Sequence, residues 1–195
     1  MKTNKSQPPL LPKQWFASYV TFWAPMKKEN FISSGCVWFD YELEVYRIDG
    51  IFNPWDVEKT GHQLWMSEIT SYGQGKSKIF KLPYHVKNLS NKNESFEYEV
   101  GNLTNDVVER HNSIVPRDIL ISGNAKFQGN EKIFGVEVDC WKFDSNNPFQ
   151  MECFYLKKHS NELIRMTQFK NGQLLIRDLP VFSTQTIDQT IFATY

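Results

Sequence analysis

A carboxylate and a guanidinium occur where the sequence otherwise alternates like a half-buried β-strand. Glu68 has the same parity as Leu64 and Met66, so a strand directs the three side chains to one face. Arg177 is in phase with the leucines two residues before and after it. A carboxylate among apolar groups is costly unless it is paired, and it suits general acid or base chemistry. The two residues could meet in a reactive site, but they could equally form a structural ion pair or lie at strand ends, and spacing alone favours the structural alternatives.

Further polar groups accompany these charges. Tyr19 and Thr21 place two hydroxyls on one face of the first predicted strand, and Asn53 places an amide beside Phe52. Such groups are also ordinary satisfied polar residues of β-sheets, so each is weak evidence for a site when taken alone.

The aromatic content is high for a chain of this size. Phe, Trp and Tyr make up 15% of the 195 residues, whereas only 41% are hydrophobic. This quantity of flat apolar surface predicts a cavity for a ring-shaped ligand. A strand-rich protein also favours aromatic residues, so composition does not decide between a cavity and a core.

Charge and cysteine usage exclude several partner classes. The 22 Lys and Arg balance the 22 Asp and Glu, so neither nucleic acid nor an anionic membrane surface is an expected partner. The longest uncharged stretch, 14–26, is shorter than the about 20 apolar residues of a membrane span, and no secretory leader is recognisable at the N-terminus. We therefore expect a cytoplasmic protein. Its cysteines, Cys36, Cys140 and Cys153, lack C-x-x-C spacing and predict reduced thiols rather than disulfides or a zinc site.

Hydrophobic periodicity near two predicts a strand-rich fold with one or two short helices. Residues 1–13 are polar and proline-containing and predict an extended arm, and 14–195 predict a single domain. Helical turns are expected at 115–120, opened by Pro116, and at 188–194. The strand-like runs are 14–23, 33–41, 44–53, 63–71, 77–86, 96–100, 126–143 with a break near Gly129-Asn130, 150–157, 162–170 and 173–179.

No helical pattern long enough for a crossover separates these runs, so the fold class is mainly β, with an antiparallel sheet. About eight to ten strands must curl into a curved sheet or a partly open barrel to hide their edges. Asn171-Gly172 is a strong hairpin signal between the last two runs.

Several short strings are more particular than a generic β protein requires. They are Pro8-Pro9-Leu10-Leu11-Pro12, Trp15, Ser18-Tyr19-Val20, Trp23, Pro25-Met26, Ser34-Gly35, Trp38-Phe39-Asp40-Tyr41-Glu42, Arg47-Ile48-Asp49-Gly50, Phe52-Asn53-Pro54-Trp55, Thr60-Gly61, Leu64-Trp65-Met66-Ser67-Glu68, Pro116-Arg117-Asp118, Arg177-Asp178 with Pro180, and Ile191-Phe192-Ala193. In these residues the chain closely resembles the VioE family of violacein pigment biosynthesis. The match is dense over 8–68 and weak over 71–113.

The resemblance implies a cytoplasmic, homodimeric enzyme that needs no cofactor or metal and whose curved sheet is like that of the LolA/LolB lipoprotein carriers. In that pathway a flavoenzyme oxidises tryptophan to indole-3-pyruvate imine, and a haem enzyme couples two of these molecules. The family member then moves one indole ring by a 1,2-shift, which gives prodeoxyviolaceinate instead of the shunt product chromopyrrolic acid. The implied partners are this small bis-indole substrate and, transiently, the upstream haem enzyme.

The resemblance also implies roles for individual residues. Glu68 stands at the position of the family's principal catalytic carboxylate, and the substrate-binding positions are Tyr19, Thr21, Phe52, Asn53 and Arg177. Thr21 replaces an expected serine, which keeps the hydroxyl and adds a methyl group to the pocket.

Two other functions fit a curved sheet. One is a carrier for a hydrophobic ligand, and the other is a lyase or chaperone for tetrapyrrole pigments. Carriers of this type are exported and often lipidated near the N-terminus, whereas the first cysteine here is Cys36. A tetrapyrrole lyase is expected to act with a protein acceptor.

Overall fold

The computed structural model describes residues 7–28, 32–51, 64–71, 76–83, 96–100, 115–170 and 172–193. The strands are β1 (Gln14–Ala24), β2 (Ser33–Asp40), β3 (Val45–Ile51), β4 (Leu64–Ser71), β5 (Lys76–Pro83), β6 (Phe96–Val100), β7 (Lys126–Ile133), β8 (Val136–Lys142), β9 (Met151–Lys157), β10 (Leu163–Lys170), β11 (Gln173–Asp178) and β12 (Phe182–Ser183). The helices are α1 (Ile119–Ser122) and a 3₁₀ helix at Gln189–Phe192.

The strands form one curved, antiparallel sheet, which confirms the predicted fold class. Within the described residues the order is β6-β5-β4-β3-β2-β1-β11-β10-β9-β8-β7, and β12 pairs with the far end of β1. Two meanders, β1 to β6 and β7 to β11, are thus joined by the pairing of β1 with β11. Within the described residues β6 and β7 are the two edge strands of this order and do not pair with each other, so the sheet does not close. The β1–β11 pairing matters most for function because it joins sequence regions that are far apart.

Three details differ from the sequence predictions. The break in the run 126–143 lies at Phe134-Gly135, where φ angles of 51° and 79° form a two-residue hairpin loop. Gly129 instead lies at an irregularity in the β7–β8 register, with φ of 136°. Phenylalanine rarely adopts the left-handed conformation, so residue type did not identify the turn at Phe134-Gly135. The break was predicted at Gly129-Asn130 instead, because these residue types favour turns.

The other two differences concern short elements. The helical turn begins at Ile119, because Pro116 opens a preceding turn whose carbonyl accepts the Ile119 N–H. The two-residue strand β12 was not predicted, since two residues carry no periodicity. The hairpin between β10 and β11 is confirmed by the Lys170↔Gln173 pairing.

The core lies against one face of the sheet, which we call the inner face: the face that carries Trp15, Phe39, Tyr46 and Ile48. Here Trp15 stacks on Phe39 with ring centroids 4.5 Å apart, and Phe39 stacks on Tyr46 at 5.4 Å. Ile119 and Leu120 of α1 are fully buried in the same cluster. This stack makes the inner face rigid and apolar around any polar group that it holds. No helix in the described ranges is long and apolar enough to cross a membrane.

Candidate functional site

The pairing of β1 with β11 places Thr21 directly opposite Arg177. Residues opposite each other on antiparallel strands share a face, so both side chains lie on the inner face. The Arg177 guanidinium donates from Nε to Thr21 Oγ1 at 3.0 Å, and its Cζ lies 5.5 Å from the centroid of the Tyr19 ring. Arg177 therefore contacts two other residues predicted for the site.

Arg177 is a partly buried cation that lacks a carboxylate partner in the described part of the chain. By contrast, Arg47 pairs with Asp49 and Arg165 pairs with Asp178. Burial lowers the pKa of the Arg177 guanidinium, and the neighbouring Tyr19 opposes this effect. A guanidinium held by a neutral hydroxyl and an aromatic face has further N–H donors of the kind that bind carboxylates and phosphates.

Glu68 is buried on the inner face, with 3% of its surface exposed. Its Oε1 accepts a hydrogen bond from the Tyr46 hydroxyl at 2.7 Å and another from Thr70 Oγ1 at 3.2 Å. Burial, together with the charge of Glu68, raises the pKa of Tyr46. Tyr46 is therefore the proton donor in this contact. The two bonds converge on one oxygen and fix the rotation of the carboxylate.

The Tyr19 side chain lies between the Arg177 and Glu68 regions. Tyr19 on β1 pairs with Gly35 on β2, and Gly35 pairs with Gly50 on β3. A Cβ at Gly50 would lie only 2.6 Å from the Tyr19 hydroxyl oxygen, so the ring reaches across the backbone of two glycines. Burial raises the pKa of Tyr19, Arg177 lowers it, and Glu68 adds to the rise. The phenol thus lies within electrostatic range of both charged residues.

A cavity adjoins these groups. Only about 20 Å³ of it can hold the centre of a water molecule, and the wider empty space of about 380 Å³ is continuous with open solvent. Its walls include Trp15, Tyr19, Phe39, Ile48, Val115, Met166 and Arg177. Glu68 itself does not line the cavity, whereas Ile48, its cross-strand partner on β3, does. The arrangement combines aromatic walls with a guanidinium, which suits a flat ligand that carries an acidic group.

The structure decides one of the alternatives that spacing left open, the ion pair between Glu68 and Arg177. Within the described residues Glu68 and Arg177 do not form an ion pair, since Arg177 contacts Thr21 and Tyr19 while Glu68 binds Tyr46 and Thr70. The structural ion pair favoured by spacing is therefore wrong. Phe52 and Asn53, the other two predicted substrate-binding residues, lie outside the described residues.

Sequence reasoning missed Tyr46 and Thr70. Thr70 has the parity of Glu68 and could have been placed beside it from the alternation alone. Tyr46 could not, because its contact requires the β3–β4 register, in which Ile48 pairs with Glu68. The described ranges contain no cluster of three or more metal-ligating side chains. Cys36 is partly exposed, Cys140 and Cys153 are buried, and none of the three forms a disulfide in the structure.

Comparison with known proteins gives one family and a set of distant structural neighbours. Residues 8–192 match the family model described as "Violacein biosynthetic enzyme VioE". Comparison with curated protein sequences gives no significant match. An uncharacterized conserved protein from Thermus thermophilus has 9% identity and a TM-score of 0.52, over 95% of this chain and 86% of that one. A LolA superfamily protein from Nitrosomonas europaea has 8% identity and a TM-score of 0.40, over 95% and 92%. The first likeness shows a shared fold alone.

Proposed function

This chain belongs to the VioE family of violacein biosynthetic enzymes, and we propose that it converts the coupled indole-3-pyruvate imine dimer to prodeoxyviolaceinate by a 1,2-indole shift. The reaction diverts the intermediate from chromopyrrolic acid. In the shift one carbon–indole bond breaks as another forms on the adjacent carbon. The migration is redox-neutral, so it needs orientation and proton transfers.

The observation that carries the proposal is the state of Arg177. A guanidinium on an aromatic-lined inner face, with no carboxylate beside it in the described residues, is suited to hold the carboxylate of an aromatic acid. The proposed substrate offers two indole rings for stacking and carboxylates for Arg177. The Thr21 hydroxyl accepts a hydrogen bond from the edge of the guanidinium, and the Tyr19 ring packs against its flat face.

Glu68 supplies the proposed proton transfers. Its carboxylate is buried, hydrogen-bonded and located on the same face as Arg177, with Tyr19 between them. A positioned carboxylate is a competent general acid or base once a substrate reaches it. Diverting the intermediate about 100-fold toward one product requires a difference of about 2.7 kcal/mol between two barriers. Orientation together with one proton transfer is sufficient for that difference.

The decisive experiment is product analysis. The purified protein is mixed with tryptophan and the two upstream enzymes, and prodeoxyviolaceinate and chromopyrrolic acid are quantified. We expect the rearranged product to dominate only when this protein is present. A carrier would bind the intermediate without changing the product ratio, and a tetrapyrrole lyase would leave the mixture unaffected, so either result rejects the proposal.

Two variants test the assigned roles within the same assay. Glu68→Gln is expected to suppress the rearranged product while the protein remains folded, and full activity removes Glu68 from the mechanism. Arg177→Lys keeps the charge and loses the bidentate fork, so it should mainly raise the apparent KM. An unchanged KM in this variant counts against the carboxylate clamp.

We further propose that the protein is a cytoplasmic homodimer that needs neither a cofactor nor a metal. It receives its unstable substrate during transient contact with the upstream haem enzyme. Light scattering at assay concentrations measures the oligomeric state, and activity after exhaustive dialysis against chelator measures any need for metal.

A further inference from the structure

Two buried glutamines on neighbouring strands differ in their hydrogen bonding. Gln173 on β11 is 6% exposed, and its Nε2 donates to the Pro25 carbonyl at 2.8 Å. Gln168 on β10 is 8% exposed, yet its Nε2 has no hydrogen-bond partner within the described residues. A buried donor without an acceptor destabilises the free protein and is uncommon in native structures. Such a group is available to an acceptor from outside the described residues, including a bound ligand.

The β10–β11 register places Gln168 beside Arg177. Gln168 pairs with Leu175, and Met166 pairs with Arg177, so Gln168 and Arg177 are diagonal neighbours across two adjacent strands. Met166 and Arg177 both line the cavity. Since residues two apart in a strand share a face, Gln168 lies on the same face as Met166 and Arg177, one residue pair further along the sheet. Diagonal neighbours with long side chains can reach a common group.

The chemistry of the two side chains is complementary. Arg177 contributes a cationic fork whose Nε is already committed to Thr21. Gln168 contributes a neutral amide N–H that a carboxylate oxygen can accept. A hydrogen bond from a neutral donor to an anionic acceptor is stronger than one between neutral groups. Trp141 Nε1 is also buried without a partner in this part of the chain, but its strand, β8, is separated from β11 by β9 and β10.

We propose that Gln168 and Arg177 together form the binding subsite for one carboxylate of an indole-containing acid, with Gln168 donating the second hydrogen bond. This inference rests on the proposed function, because it gives that substrate's carboxylate a second partner. Without ligand the Gln168 amide is unsatisfied, and with ligand it is satisfied. Gln168 therefore contributes to affinity rather than to the stability of the free protein.

The test uses two stable probes, indole-3-acetate and 3-methylindole, which share the ring and differ in the carboxylate. Gln168→Met keeps the length of the side chain and removes the amide, and Gln173→Met is the matched control. We expect Gln168→Met to weaken indole-3-acetate binding about tenfold and to leave 3-methylindole within about twofold. Gln173→Met should leave the preference for the carboxylate unchanged.

Stability provides an independent readout. Gln168→Met should unfold at the same urea concentration as the unmodified protein or a higher one, whereas Gln173→Met should unfold earlier because it loses a satisfied bond. Gln168→Glu, which places a carboxylate within reach of Arg177, should abolish the preference for indole-3-acetate.

Three results overturn the inference: unchanged indole-3-acetate affinity in Gln168→Met, no carboxylate preference in the unmodified protein, or equal losses of stability in the two methionine variants. These outcomes are separable from failure of the proposed function. Binding is measured without turnover, whereas the function fails only if the product ratio of the complete pathway mixture is insensitive to this protein.

Discussion

The Tyr46 hydroxyl donates a 2.7 Å hydrogen bond to Oε1 of Glu68, and both side chains are almost fully buried. Thr70 donates to the same oxygen from the strand that carries Glu68. A carboxylate that must exchange a proton with a bound substrate has to point in one direction before the substrate arrives. We infer that Tyr46 acts as a positioning residue for Glu68.

Tyr46→Phe should lower the turnover to rearranged product about tenfold, with little change in KM, because the carboxyl group stays in place and loses the donor that orients it. In a Glu68→Gln background the same change should cause no further loss. Independent, additive losses in the double variant contradict the positioning role.

Tyr41→Phe is the matched control, since its hydroxyl donates to the Val115 carbonyl at 2.6 Å, outside the Glu68 contacts. We expect it to lose roughly 1 kcal/mol of unfolding free energy, and any loss of turnover should add to that of Glu68→Gln, because this hydroxyl bonds Val115 and Trp15 and not Glu68. If Tyr41→Phe and Tyr46→Phe lose turnover equally, the loss reflects a general effect on packing, and this result contradicts a specific role of Tyr46 in orienting Glu68.

Thr21→Val should raise the KM several-fold while kcat changes little, because the Arg177 guanidinium loses the hydroxyl that its Nε donates to at 3.0 Å. Valine matches threonine in shape, so the loss isolates the hydroxyl. Thr21→Ser keeps the acceptor and should behave like the unmodified protein. KM is measured from steady-state product formation. An unchanged KM in Thr21→Val shows that the Thr21 hydroxyl does not contribute to substrate binding.

Gly50→Ala should destabilise the protein by roughly 1–3 kcal/mol and impair product formation. The added Cβ would lie 2.5 Å from the Ser34 carbonyl oxygen and 2.6 Å from the Tyr19 hydroxyl, so the β2–β3 backbone and the phenol must both shift. Gly135→Asn is a suitable control because that turn is open and asparagine tolerates its positive φ. Urea unfolding and product analysis measure both effects, and a normally stable, active Gly50→Ala variant contradicts the packing argument.

The Cys153 thiol should ionise at a lower pH than an ordinary thiol. A hydrogen bond from Cys140 lowers the pKa of Cys153, with a smaller contribution from Tyr155 and opposition from burial. Because the folded state releases this proton first, its contribution to stability is present above the ordinary thiol value of 9.0 and is lost as the pH falls through the lowered pKa of the folded protein.

Mass-spectrometric labelling across pH separates the three thiols. Cys36, whose pKa is raised by burial, should label only at higher pH and serves as the internal control. Cys140→Ala removes the donor and should move the Cys153 midpoint upward. A midpoint for Cys153 that does not respond to Cys140→Ala refutes the thiol pair as the cause.

Much of the sheet was predictable because alternation is a local property. The run 14–23 predicted β1 at Gln14–Ala24, and the run 96–100 predicted β6 at the same bounds. Parity also predicted that Glu68 and Arg177 point to the apolar face, since a strand assigns its side chains to two faces regardless of what it pairs with. The hairpin loop at Phe134-Gly135 was missed because its left-handed turn contains a residue that rarely adopts that conformation.

Periodicity in the amino-acid sequence determined which side chains share the inner face, because the two-residue repeat of a strand is set by its own backbone. Only the tertiary structure decided which of them are neighbours. Thr21 and Arg177 are 156 positions apart and meet solely because β1 pairs with β11 in one register. In the same way, β3 pairs with β4 and gives Glu68 a tyrosine partner, whereas Arg177 contacts Thr21 and Tyr19. A repeat of two residues specifies a face, and a register between strands is needed to specify a contact.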